Sequence, residues 1–179
     1  MMDGLPEQEM PRPLRTGRLE LRPLTRDELE AVAAGRALPH FAEGFPSPAD
    51  RDWARGAIEA GGHFFTESPY SRYAAVELAS GEVVGTGGFS APPMNGELEI
   101  EGSVAASRRG RGLAAEGLRA VVARAFEDPR VLAVHASVPP VPADDDAAGP
   151  EPARRVLLGA GFTPSPSEGV EDVYRLPRP

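Results

Sequence analysis

The chain has 179 residues, 41% of them hydrophobic, so it supports one core of ordinary size and is short for two domains. It has no cysteine, and all 19 of its Lys and Arg residues are arginine; disulfides, thiolate metal sites, a cysteine nucleophile, a phosphate-loop lysine and a Schiff-base lysine are therefore excluded. A net charge of -8 and a pI near 5.0 oppose nucleic acid and anionic membranes as partners and steer cationic small molecules or peptide amines inward.

Residues 1–13 are Pro-containing and acidic and read as a flexible segment before a single domain spanning 14–179. No apolar run approaches the roughly 20 residues of a membrane span, and the start lacks the pattern of a leader, so a cytoplasmic location is expected. Arg18 to Leu24 alternates as a strand, and Thr25-Arg26-Asp27-Glu28 is a capping box opening a helix to about Gly35. Ser47-Pro48 opens a second helix through Trp53 to about Ala60. Tyr73 to Leu78 and Val83 to Phe89 flank the turn signal Ser80-Gly81, and Leu98 to Val104 completes a meander. An amphipathic helix follows from Leu113 to Phe126, then an apolar strand from Val131 to Val138 and a proline and aspartate loop from Pro139 to Pro150. Ala153 to Ala160 reads as a short helix ended by Gly161, and Val170 to Leu176 as the last strand. The histidines, His40, His63 and His135, lack metal-ligand spacing, so no metal is expected.

The densest signal lies between the third strand of the meander and the long helix, at Arg109-Gly110-Arg111-Gly112-Leu113-Ala114. Gly110 and Gly112 let backbone amides approach an anion, the helix N-terminus favours negative charge, and Arg108, Arg109 and Arg111 add guanidinium groups. The plain alternative is an arginine-rich surface turn. Gly110, Gly112 and Ala115 also fit the register of a dinucleotide fingerprint, but that fold runs its first strand almost directly into the glycines, whereas here a meander precedes and Ala105 to Arg109 intervenes.

Arg109-x-x-Gly112-x-Ala114 resembles the acyl-coenzyme A turn of the GNAT N-acetyltransferase superfamily. Leu14 to Leu24 resembles the first strand of its RimJ/RimL-like branch, Glu99-Ile100 through Ser103-Val104 the glutamate-bearing fourth strand, and Arg154 to Phe162 the closing helix and Gly-Phe turn. The resemblance runs from about Leu14 to Leu176. It implies an α/β (α+β) domain with a mixed, mostly antiparallel sheet flanked by helices, using acetyl-coenzyme A as cosubstrate and acetylating a primary amine, either a protein N-terminus or a small molecule. It also implies that Val104, Ala106, Arg109, Gly110, Arg111, Gly112, Leu113 and Ala114 hold the coenzyme, with the Val104 N–H toward the thioester oxygen. Phe45 and Trp53 read first as packing for the early helices, and the resemblance places them at the acceptor wall.

Glu97, Glu99 and Glu101 share one strand face by the period of two. A solvated outer face is the plain reading; in a covered sheet, adjacent carboxylates raise one another's proton affinity, which suits a base. By resemblance Glu99 is the proton acceptor, with Glu101 second. Two family positions depart from pattern: Pro150 stands where an asparagine is usual and Ala153 where a hydroxyl is usual. The general acid is then open among His135, Ser137, Tyr174 and water. Two other readings follow: a coenzyme- or ligand-binding regulatory protein that has lost turnover, and an acyltransferase for longer acyl-coenzyme A accommodated near Gly85 to Gly88. Edge strands are compatible with a homodimer.

Overall fold

The computed structural model describes residues 11–62, 68–140 and 149–179. Most of the expected N-terminal segment lies outside the described residues, as do His63, Phe64, Phe65 and the acidic run Asp144 to Asp146.

A two-residue strand, β1 (Leu14–Arg15), turns back into β2 (Leu19–Pro23), whose Leu19 and Leu21 are buried. Helix α1 (Arg26–Ala33) starts at Thr25, where both halves of the expected capping box form, with Glu28 as the third residue. Helix α2 (Pro48–Glu59) starts the same way, with Ser47 and Asp50 exchanging hydrogen bonds and proline in the first turn. Strands β3 (Arg72–Glu77) and β4 (Val83–Phe89) form the hairpin, and Gly81 takes the left-handed conformation its turn needs. Strand β5 (Glu97–Val104) leads through one 3-10 turn (Ala106–Arg108) to α3 (Leu113–Ala125); β6 (Ala133–Val138), α4 (Glu151–Gly159), β7 (Thr163–Ser165) and β8 (Asp172–Pro177) complete the domain.

The differences from expectation are at the ends. Strands β1 and β7 are too short to show alternation, β7 contains proline, and the last strand begins at Asp172 because Val170 lies exposed in the preceding loop. Helix α4 begins at Glu151 because Pro152 is tolerated in a first helical turn.

The eight strands form one mixed sheet in the order β1-β2-β3-β4-β5-β6-β8-β7. Every neighbouring pair is antiparallel except β5 and β6, which run parallel and pair only at Glu97–Ala133, Leu98–Val134 and Glu99–His135. Beyond that point β5 keeps β4, from Phe89–Ile100 to Gly85–Val104, while β6 continues against β8. The two strands part after Glu99, dividing the sheet into two halves joined by three residue pairs.

One face carries Leu19, Leu21, Tyr73, Leu98 and Ile100 and is covered by α3, where Gly117 lets the helix approach Leu19. The opposite face is covered by α1 and α2 and is unusually polar for a buried surface. Arg22 pairs with Glu28 of α1, Thr86 bonds to Asp50 of α2, and Arg72 lies over Trp53 of α2. The chain end is fixed by Arg178, which donates to the carbonyls of Phe126, Asp128 and Val131 where α3 finishes, complementing the negative end of that helix.

Candidate functional site

The glycine turn lies at the N-terminus of α3. Gly110 and Gly112 both have left-handed backbones, with φ of 74° and 77°. Gly112 is the N-cap of α3 and makes no side-chain capping bond, so the amides of the first turn face outward at the positive end of the helix. The turn is held from behind. Arg18 donates 2.7 Å to the Arg111 carbonyl and 2.7 Å to Glu116, whose carboxylate also accepts from the Thr16 hydroxyl at 2.6 Å and the Arg18 amide at 2.8 Å. The Thr16 hydrogen bond, with those from Arg18, outweighs burial and holds the Glu116 carboxyl below its usual range.

The arginines divide their work. Arg108 is committed to Glu77 and Glu82, Arg111 is half exposed with Glu77 at 4.0 Å, and Arg109 donates through Nε to the Val104 carbonyl at 3.2 Å. Ala106 is exposed on the 3-10 turn, Leu113 is buried beneath the turn, and Ala114 is exposed beside the uncapped amides.

The parting of β5 and β6 frees backbone groups. The Ala105 amide donates to Val84 and the Glu99 carbonyl accepts from Ser90, so odd-numbered residues of β5 bond toward β4. By alternation Gly102 and Val104 direct their backbone groups to the opposite edge, where β6 has turned away. The expected Val104 N–H therefore points into the parting.

The three acids of β5 do share a face, and each has a different partner. Glu97 pairs with Arg175 at 2.8 Å and lies 3.4 Å from His135. Glu101 lies 3.5 Å from Arg72, a buried arginine whose guanidinium sits 5.0 Å over the Trp53 ring. Arg72, Gly88 and Glu101 form one row across β3, β4 and β5, and the missing side chain at Gly88 lets the arginine reach across. Glu99 accepts instead from the Ser137 hydroxyl, at 3.3 Å. Among the described residues it is the acid of the row with no ion pair. An arginine thus faces each end of the row.

Trp53 is half-buried beside this row, whereas Phe45 is buried against Phe41 in an edge-to-face arrangement with ring centroids 4.9 Å apart. Tyr174 is in the core, opposite Ala136, on the face away from Glu99. Gly85 and Gly88 are explained by close backbone approach: a Cβ at Gly85 would lie 2.0 Å from the Ser103 carbonyl oxygen and one at Gly88 2.3 Å from that of Ser71. A Cβ at Gly87, in the same run, would face open space. Pro150 caps α4 without a side-chain bond, and Ala153 is exposed.

Arg18, Asp50 and Arg72 were not legible as site residues. Asp50 could have been found, because Ser47-x-x-Asp50 repeats the capping pattern with aspartate in place of glutamate. Arg72 carried no local signal, since its partners come from α2 and β5. Among the described residues no three His, Asp or Glu side chains converge to hold a metal, and no helix is long and apolar enough to cross a membrane.

Comparison with known proteins gives one family. A family model described as acetyltransferase (GNAT) domain matches residues 18–141. The chain superposes on an acetyltransferase from Agrobacterium tumefaciens with a TM-score of 0.63 and 25% identity, covering 93% of this chain and 95% of that one. RimJ from Mycobacterium smegmatis, solved with a coenzyme A disulfide, gives 0.59 and 20% over 95% and 88%. A ribosomal-protein-S5-alanine acetyltransferase from Vibrio fischeri gives 0.59 and 12% over 93% and 96%. No curated protein sequence matches.

Proposed function

The chain belongs to the GNAT acetyltransferases and is an acyltransferase; from that premise we propose that it moves an acetyl group from acetyl-coenzyme A to a primary amine by direct attack, with Glu99 as the base. The carrying observation is the division of the acidic row. Glu97 and Glu101 each face an arginine, while Glu99 faces a hydroxyl. A carboxylate already paired with a cation gives little when a proton arrives, so the unpaired one is the acid fit to accept it.

The residues fit the coenzyme. Two left-handed glycines and uncapped helical amides suit a diphosphate, and the outward backbone of Gly102 and Val104 suits the amide-bearing arm between diphosphate and thioester. The thioester supplies the activated acetyl group. The Val104 N–H stabilises the oxyanion, and Glu99 takes the amine proton. Trp53 and the acidic face draw the acceptor as an ammonium before it is deprotonated, consistent with the net charge of -8. A peptide N-terminus is the acceptor class we favour, since the fold is shared with a ribosomal-protein acetyltransferase.

The test is release of free thiol from acetyl-coenzyme A over a panel of peptides and small amines, with the mass of each acceptor checked for one added acetyl group. Transfer to at least one peptide N-terminus is expected. Tight coenzyme binding with no thiol release for any amine would sink the reading.

A further inference from the structure

Acetyl transfer leaves a proton to be moved. The neutral amine loses one when its nitrogen bonds to the acetyl carbon, and the departing sulfur, with an ordinary thiol pKa of about 8.5, needs one near neutral pH. The position where the family resemblance implies a hydroxyl holds Ala153, which has no acidic side-chain proton. His135 is in the stretch where β5 and β6 are still paired and faces Glu97, and Tyr174 is buried on the other side of the sheet.

Ser137 is placed differently. His135 is the last residue of β6 in register with β5, opposite Glu99, and Ser137 lies two residues further on the same face, just past the parting. Its hydroxyl reaches back 3.3 Å to the Glu99 carboxylate. It therefore stands at the edge of the gap into which Val104 also points.

Building on the acetyl-transfer reading, we propose that Ser137 protonates the departing sulfur, drawing the proton from Glu99. The C–N bond forms while the amine proton passes to Glu99. The C–S bond breaks, sulfur takes the hydroxyl proton of Ser137, and protonated Glu99 restores it. The net result is one amine proton carried to the coenzyme thiol, with both residues returned to their starting states. The hydrogen bond supports the exchange: at rest the hydroxyl donates to the carboxylate, and once Glu99 is protonated the direction reverses, freeing the hydroxyl hydrogen for sulfur.

The experiment compares Ser137→Thr with Ser137→Val, two isosteric β-branched residues that both suit a strand and differ in the hydroxyl. Calorimetry with coenzyme A should give parental affinity for both. The threonine protein should keep kcat within about tenfold of the parent and the valine protein should lose about 100-fold, within the usual range for a general acid. With an acetyl thioester whose thiol is acidic enough to leave unprotonated, such as acetyl-thionitrobenzoate, the valine protein should come within about tenfold of the parent on the same donor, whereas a hydroxyl that merely held Glu99 in place would cost as much with either donor. Equal kcat in the two variants, or a loss of equal size with both donors, overturns the relay alone. A parent that releases no thiol with any amine overturns the acetyl-transfer reading beneath it.

Discussion

Ser103 donates a 2.6 Å hydrogen bond to Asp50, joining the strand that ends at Val104 to the first turn of the helix that carries Trp53. The same carboxylate oxygen accepts from Thr86 at 2.9 Å, and the other accepts from the amide and hydroxyl of Ser47. Asp50 is 1% exposed, so its charge is stabilised by these donors rather than by water. Asp50→Ala should cost about 2 to 4 kcal/mol, combining a lost cap with two stranded hydroxyls. Urea unfolding at neutral pH measures it, and a loss under about 0.5 kcal/mol would show that the network contributes nothing.

Acid sensitivity should centre on Glu28. Burial pushes its carboxyl up, but hydrogen bonds from Arg22, the Thr25 amide and His40 together overcome that and hold it at about 2, against an ordinary 4.5. A depressed folded value means that the stabilisation is complete above about 4.5 and is lost as pH falls through 4.5 toward 2. The contribution is on the order of 2 kcal/mol. Comparing the parent with Glu28→Gln at pH 7 and pH 3 should show a large stability gap at pH 7 that narrows at pH 3; a gap of equal size at both would assign the stability to packing alone.

Glu99→Gln should lower kcat by about 100-fold or more while coenzyme affinity stays near the parent's. Glu97→Gln, which breaks the ion pair with Arg175 at one end of the row, should stay within a few-fold. Steady-state kinetics on the two proteins separates them, and equal losses would mean that the row acts as a charge cluster rather than through one base.

Gly112→Val should abolish coenzyme binding. A β-branched residue is strained at a φ of 77° by about 1 to 3 kcal/mol, and its side chain would meet the Arg18 guanidinium, whose nearest nitrogen lies 3.4 Å from the added Cβ. Calorimetric binding at parental strength in a folded variant would move the diphosphate elsewhere.

Glu116→Gln should loosen the turn without touching the reacting atoms, because the Thr16 and Arg18 bonds to its carboxylate hold the Arg111 carbonyl in place. The KM for acetyl-coenzyme A should rise several-fold, whereas that for an acetylated pantetheine donor lacking the diphosphate should not change. A parallel rise for both donors would point to general loss of structure.

The sequence was most readable where one short segment decides its own conformation. Thr25-x-x-Glu28, Ser47-Pro48 and Ser80-Gly81 each act through backbone geometry within a few residues and appear as read, and Gly110 and Gly112 both take left-handed backbones. The alternation of Glu97, Glu99 and Glu101 likewise gave their common face. It could not show which acid would meet an arginine, because Arg72 and Arg175 arrive from strands 25 or more positions away and only the sheet order brings them to β5. The parting after Glu99 has no local signal either, because it depends on β6 choosing β8; the outward Val104 N–H was implied by the family resemblance alone.

That parting gives the domain an interior edge. Past Ile100 one side of β5 is zipped to β4 while the Gly102 peptide groups and the Val104 N–H face away from it, a strand edge placed in the middle of a sheet rather than at its rim, with the Val104 carbonyl held by Arg109. A ligand arm laid along it would complete the ladder as a guest strand. Recognition would then depend on main-chain bonds, which a side-chain substitution does not directly remove.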